Sequence, residues 1–335
     1  MSLNALVVDA LMHAGPYKSQ RLWTVENHEK YSTLAPPASG PVDLQTCNHD
    51  IFLLMCALNQ QGMSQHGLCA DAHGHGALKC TIDTLADRLA TLSWRRHLHY
   101  VELGPEPVKT AHLLARIADS CASIRYTAID INQTSEHAMR AAILPIVEGR
   151  GSFNYIAADY RTVTHADLCF DQDLTLITLL GFQEGNELAV STGRLIRTLA
   201  GDNTYILSEM QVYEEGLQSA IHAFYANPNM LRFSRLIAFQ QGFTPLGEHE
   251  ITLVQLDILD ERIHVAVTLQ PVRGPHQQGY LLTNICLKYT AEQFRRVRAL
   301  HCNCSVVGEW ASGDGSVRYQ LAKYLQQPPF GSDTP

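Results

Sequence analysis

The sequence has no run of about 18 apolar residues, which excludes a membrane-spanning helix. It is short of positive charge, with 25 Lys and Arg against 33 Asp and Glu and a net charge of −8. A nucleic-acid binder that works by neutralising phosphates is therefore not expected. The opening residues Met1-Ser-Leu-Asn-Ala-Leu-Val-Val lack a cationic segment, and Asp9 interrupts the apolar stretch, so no secretory signal is read and a cytoplasmic location is expected. A disulfide framework is also absent. The nine cysteines, at 47, 56, 69, 80, 121, 169, 286, 302 and 304, form an odd, irregular set that fits reduced thiols. Neither a Gly-x-Ser-x-Gly elbow nor a Cys-His-Asn set of hydrolase type occurs, and nothing repeats internally.

What is present is a globular composition, 46% hydrophobic and 17% charged, long enough at 335 residues for one large domain or two smaller ones. Residues 1–97 mix helical patterns such as Ile51-Phe-Leu-Leu-Met-Cys-Ala-Leu with turn-rich stretches such as Ala35-Pro-Pro-Ala-Ser-Gly-Pro, and read as a helical N-terminal segment. From residue 98 short apolar runs alternate with helix-length segments, as in βαβ units around a parallel sheet. The runs start at Leu98, Arg125, Phe153, Leu174 and Asn203, with helical patterns near 108–120, 134–147 and 185–200. Such apolar runs suit strands buried on both faces.

These patterns predict an α/β chain with a Rossmann-like core at 98–215. An insertion with antiparallel strands is expected at 216–290, a return to the core sheet at 291–325 and a flexible tail at 326–335. Within the insertion, strands Ile251–Ile258 and His264–Val272 flank the turn Leu259-Asp-Glu-Arg.

In an open α/β sheet, ligands sit beyond the carboxyl ends of the strands. Here the first strand ends Val101-Glu-Leu-Gly-Pro-Glu-Pro, where Gly104 admits a ligand close to the backbone. The second ends in Asp130, able to accept hydrogen bonds from ribose hydroxyls. The third ends in Asp159-Tyr160, a carboxylate beside an aromatic, suited to an adenine amino group and ring face. This ordered set looks like the S-adenosylmethionine site of class I methyltransferases. A three-glycine loop is missing, because Glu106 and Val108 stand where small residues are usual. A dinucleotide pyrophosphate is the competing ligand, but Pro105, Glu106 and Pro107 obstruct it and Glu106 repels it.

Further motifs extend the likeness. Tyr-Val-Glu-Leu-Gly with Lys109-Thr110, Leu180-Gly-Phe-Gln-Glu-Gly-Asn186, Met210-Gln-Val-Tyr213-Glu-Glu and Leu282-Thr-Asn284-Ile-Cys286-Leu-Lys-Tyr resemble the ergothioneine-pathway histidine Nα-methyltransferases and the related dimethylallyltryptophan N-methyltransferases, in order, over residues 99 to about 325. The resemblance implies that Gly104, Lys109, Asp130, Asp159, Tyr160 and Gly181 hold S-adenosylmethionine. It also implies that Asn186 and Tyr213 form the catalytic, head-group-binding pair for an amino-acid-like substrate. An amide and a phenol can hydrogen-bond a carboxylate and a neutral amine without adding charge; a helix N-cap for Asn186 and a packed ring for Tyr213 are the structural alternatives. The resemblance extends the substrate pocket to Tyr31, Phe182, Val267, Asn284 and Cys286. Histidine-specific members use Glu and Ser to hold imidazole where this chain has Asn284 and Cys286, and Val267 replaces a Met. Without the carboxylate no charge-assisted hydrogen bond to imidazole forms, so histidine is not the expected substrate.

The expected activity is S-adenosylmethionine-dependent N-methylation of an amino-acid-like amine in secondary metabolism. Two alternatives stand beside it: cyclisation of the cofactor's aminobutyrate to azetidine-2-carboxylate, and non-catalytic cofactor binding. Cys69, His73, His75 and Cys80, and separately His301, Cys302 and Cys304, carry metal-ligand residue types, but neither matches an established finger spacing and no metal site is expected. Arg295-Arg-Val-Arg298 reads as a solvated helix face. No nucleic-acid or membrane partner is expected.

Overall fold

The computed structural model describes residues 2–13, 16–31, 44–64, 67–70, 77–168 and 173–326. The stretch Ala35 to Pro41, His73 and His75, Cys169 and the tail after 326 lie outside these described residues.

The chain begins with α1 (Leu3–His13), β1 (Leu22–Thr24), α2 (Asn27–Tyr31), α3 (Leu44–Met63) and α4 (Leu78–Leu92). The apolar spacing of α4 places Leu78, Ile82, Leu85 and Leu89 on one buried stripe that joins the main apolar core. The alternation then follows: β2 (His97–Leu103), α5 (Pro107–Ile117), β3 (Ser123–Asp130), α6 (Glu136–Val147), β4 (Gly151–Ala157), α7 (His165–Leu168), β5 (Leu174–Leu179), α8 (Ala189–Leu199) and β6 (Thr204–Gln211). Next come α9 (Gln218–Tyr225), α10 (Pro228–Gln240), β7 (Thr244–Pro245), β8 (Glu250–Ile258), β9 (Glu261–Arg273) and β10 (Gln278–Lys288). The chain closes with α11 (Ala291–Leu300), β11 (Cys304–Ala311) and β12 (Val317–Tyr324).

The main sheet has seven strands in the order β11-β12-β6-β5-β2-β3-β4, parallel from β6 to β4, with β12 antiparallel to β6. Every residue of β5 is buried, because helices cover both faces of this central strand. The strand order reverses between β2 and β5: the chain moves outward from β2 to β3 and β4, then returns to β5 on the other side. That reversal opens a crevice at the strand ends. The result is a doubly wound, Rossmann-like sheet.

A second sheet of five strands contains β1, β7, β8, β9 and β10. The β8–β9 turn is tighter than the sequence pattern predicts. Leu259 and Asp260 alone form it, with φ of 54° and 63°, the doubly left-handed geometry that matches the twist of a two-residue hairpin. The sequence pattern also misses β1, which pairs in parallel with β10 through Leu22 and Tyr280. Three residues are too few to show a period.

Candidate functional site

A cavity of about 230 Å³ opens at the carboxyl ends of the parallel strands. Each neighbouring strand end contributes to it. Behind β2, Gly104 turns the chain at φ +58°, a conformation that favours glycine. Behind β3, Asp130 accepts hydrogen bonds from the Asn132 amide at 3.0 Å and the Ser135 hydroxyl at 3.2 Å. Burial nevertheless raises its pKa to about 6. Behind β4, Asp159 and Tyr160 line the wall. Burial works against the charge of Asp159, but Arg161 grips both of its oxygens, at 2.6 to 3.0 Å, and holds the carboxyl below its ordinary value. Behind β5, Gly181 and Phe182 follow one another at φ 72° and 64°.

The inner end of the cavity carries buried charge. Lys109 donates to Glu209 at 2.5 Å, and the Gly181 amide and Tyr319 hydroxyl donate to the same carboxylate at 2.6 and 2.7 Å. Burial alone would depress the Lys109 ammonium, but Glu209 and Glu106 hold it above its ordinary value. Glu106 accepts from the Val108 and Lys109 amides at 2.9 and 2.7 Å. This caps α5 with its own carboxylate and occupies the helix N-terminus that a pyrophosphate would use. Deeper still, Glu102 is raised to about 8 by burial, which outweighs its bonds from Thr110 and Tyr126.

Of the residues singled out from sequence, Gly104, Lys109, Asp130, Asp159, Tyr160, Gly181, Tyr31, Phe182 and Asn186 all line this cavity. Tyr31 lies close to Asp130: burial raises its pKa first, and the charge of Asp130 raises it further. Asn186 is not a helix cap, since Leu188 holds that position for α8. The other four do not line the cavity. Tyr213 stacks on His264 with ring centroids 3.5 Å apart and an interplanar angle of 11°, and its hydroxyl accepts from Gln218 at 2.6 Å. It is a packed aromatic on the second sheet, so Asn186 and Tyr213 do not meet across the cavity.

The β9–β10 register separates the rest. Val267 pairs with Ile285, whereas Ala266 pairs with Cys286 and Thr268 with Asn284. Side chains alternate faces along a strand, so Val267 faces away from Asn284 and Cys286 and lies in a different apolar cluster from Cys286. These three cannot share one wall. Cys286 sits behind the cavity, its sulfur 3.3 Å from the Lys288 ammonium and 3.9 Å from the Phe182 carbonyl. Asn284 and Cys286 both interact with the buried Tyr225 phenol.

Several lining residues escaped the sequence reading. Ile51, Met55, Leu58 and Gly62 form one edge of α3 that faces the cavity. Their 4-3-4 spacing, visible in the sequence, is the signal that could have found them. Glu209 ends a predicted strand, and Gln183 lies inside a quoted motif, but neither carried a signal of its own. His28 and Asn27 enter from α2, and the Asn27 amide donates to the Asn186 carbonyl at 3.5 Å. Of the two Cys/His groupings, His73 and His75 are outside the described residues. Among the described residues no cluster of three or more His, Cys, Asp or Glu is arranged to hold a metal ion. Likewise no described helix is long and apolar enough to cross a membrane.

No family model matches the chain. No curated protein matches it either. Among solved structures, it is similar to an S-adenosylmethionine-dependent methyltransferase from Clostridium acetobutylicum ATCC 824, at 10% identity over 73% of this chain and 91% of that one, with a TM-score of 0.42. It is similar to the N-methyltransferase NodS from Bradyrhizobium japonicum WM9 in complex with S-adenosyl-L-homocysteine, at 9% identity over 82% and 99% of the two chains, TM-score 0.39. A third is the magnesium protoporphyrin IX methyltransferase ChlM from Synechocystis PCC 6803 with bound S-adenosylhomocysteine, at 8% identity over 84% and 100%, TM-score 0.43.

Proposed function

We propose that this chain is an S-adenosylmethionine-dependent N-methyltransferase acting on a small amine of amino-acid type other than histidine. One observation carries the reading: Gly104, Asp130, Asp159-Tyr160 and Gly181 converge on one cavity at the switch point of the sheet. The residues fit the cofactor. Asp130 is a carboxylate with capacity left to accept from vicinal hydroxyls, Tyr160 offers a ring face, and the left-handed turn at Gly104 leaves its backbone approachable.

When bound, the cofactor supplies a sulfonium-activated methyl group. The chain's part is then to position the acceptor nitrogen in line with it and to exclude water, which can supply much of the rate without a strong base. Phe182 and Tyr160 place aromatic faces beside the cavity, where they stabilise a cation. Asn186 and Asn27 offer neutral amides to an amino-acid head group. The α3 edge and Phe224 make the opposite wall apolar, suited to a small organic side chain.

The test is to incubate the protein with S-adenosylmethionine, alone and with a panel of amino acids and amines, and follow products by mass spectrometry. S-adenosylhomocysteine formed only with an added amine is expected. Methylthioadenosine plus azetidine-2-carboxylate formed without any amine would replace transfer by cyclisation. Measurable cofactor binding with no turnover under either condition would leave a non-catalytic binder.

A further inference from the structure

The turn after β5 does something the methyl-transfer reading does not use. Phe182 is a bulky residue held at φ 64°, directly after Gly181 at φ 72°. Such a conformation persists only where the surroundings over-determine it. Here they do: the Phe182 ring meets Phe224 edge-on at 5.3 Å, and the Lys288 ammonium lies 5.2 Å from its centroid. Behind it, Gly185 is so close to Cys286 that an added Cβ would fall 2.4 Å from the sulfur.

The consequence falls on the next residue. Gln183 is thrown across the crevice between β5 and β2, where its amide Nε2 donates to the Gly104 carbonyl at 2.8 Å. A Cβ on Gly104 would fall 2.0 Å from that nitrogen. The other end of the amide, Oε1, is buried and has no hydrogen-bond partner among the described residues, although Gln183 lines the cavity. A buried carbonyl oxygen left unpaired is costly, so a ligand that brings a donor to it gains a strong interaction.

The strand order says which part of the ligand reaches this point. With the adenine at β4 and the ribose at Asp130 on β3, the remaining tail of the nucleoside runs toward β2 and β5. The donor in that tail is the α-ammonium of the aminobutyrate. We propose that Gln183 Oε1 accepts a hydrogen bond from this ammonium, so that Gln183 is the residue by which the site recognises the amino-acid tail of its nucleoside. The proposal rests on the S-adenosylmethionine reading. It assigns the tail's recognition to a side chain outside the glycine turn, whose helix end is already closed by Glu106.

Isothermal titration calorimetry with three probes tests it: S-adenosylhomocysteine, its desamino analogue and methylthioadenosine. The unaltered protein is expected to bind S-adenosylhomocysteine about tenfold or more tighter than the desamino analogue, the scale of a hydrogen bond to a charged group. In Gln183→Leu that preference is expected to shrink to within about twofold. Affinity for methylthioadenosine, which has no amino-acid tail, should stay the same in both proteins and shows that the nucleoside end is intact. A preference that survives in Gln183→Leu overturns the proposal, as does an equal loss for all three probes. If the unaltered protein binds none of them, the cofactor reading itself fails, and this inference with it.

Discussion

The two sheets bury opposite charges. At the strand ends of the parallel sheet, Glu106, Asp130 and Glu209 line one cavity, with Glu102 buried behind them and Lys109 as the buried cation among them. Beside the second sheet the buried groups are amines: Lys288 on β10, completely enclosed, and Lys30 on α2. The acids keep company with hydroxyls, backbone amides and an open space. Lys288 instead meets the Cys286 sulfur at 3.3 Å and two aromatic rings at 5.1 to 5.2 Å, and burial lowers its pKa. Burial penalises charge in both places, and the acids of the first region stand beside a cavity into which a ligand can bring compensating donors. Asp130 is the acid of this group with room for a ligand, and Lys288 supports the ring of Phe182.

Arg298 and Glu184 form a fully buried ion pair between α11 and the turn after β5. Glu184→Ala should cost about 3–5 kcal/mol by denaturant unfolding, because it strands a buried guanidinium. A loss under about 1 kcal/mol would mean that water reaches the pair.

On the acidic side, Asp130→Ala should weaken S-adenosylhomocysteine binding by about 100-fold or more, as two charge-assisted hydrogen bonds are removed. Unchanged affinity would remove the β3 end from the site. The pH dependence sharpens this. Only the ionised Asp130 is a pure acceptor, so affinity should be flat at higher pH and fall below about pH 6. The limiting slope is about one log unit per pH unit, and Asp130→Asn should abolish it.

On the amine side the sign reverses. Burial lowers Lys30 to about 8, so the folded state disfavours its charge. The penalty is fully present below that value and fades as pH rises toward the unfolded lysine's value of about 10.4. Lys30→Met should therefore stabilise the protein by about 1–3 kcal/mol near neutral pH and by nothing at the alkaline end, measured by unfolding at several pH values. Stabilisation that does not change with pH would refute the titration account.

The smallest effect distinguishes packing from binding. Val267→Ala should cost roughly 1–2 kcal/mol of stability and leave nucleoside affinity within about twofold, because Val267 packs in the cluster on the far face of β9.

How far the sequence could be read follows from the same physics. The five parallel strands were legible because strands buried on both faces leave continuous apolar runs between helix-length segments. Gly104, Asp130 and Asp159 were legible because in such a sheet the residue after each strand is placed by the strand itself. Tyr213, Val267, Asn284 and Cys286 were placed by resemblance in order along the chain. Order does not fix which face of a strand a side chain takes, and for Val267, Asn284 and Cys286 the register of β9 on β10 sets that. Gln183 was invisible for another reason. Its position depends on two successive left-handed residues, one of them a phenylalanine, and no local propensity predicts that.

Strand β1 has a history the finished fold conceals. Leu22 pairs with Tyr280, a residue synthesised some 260 positions later. At about 5–20 residues per second, β1 leaves the ribosome on the order of 10–50 seconds before its partner exists. Until then three strand residues have no edge to join, and the buried side of α1, Leu3, Val7 and Leu11, waits for β8 and β9 to cover it. The β2 to β6 sheet can close in that interval, so β1 is made first and seated last. A nascent chain halted before residue 280 would hold a closed parallel sheet while β1 still lacked its edge.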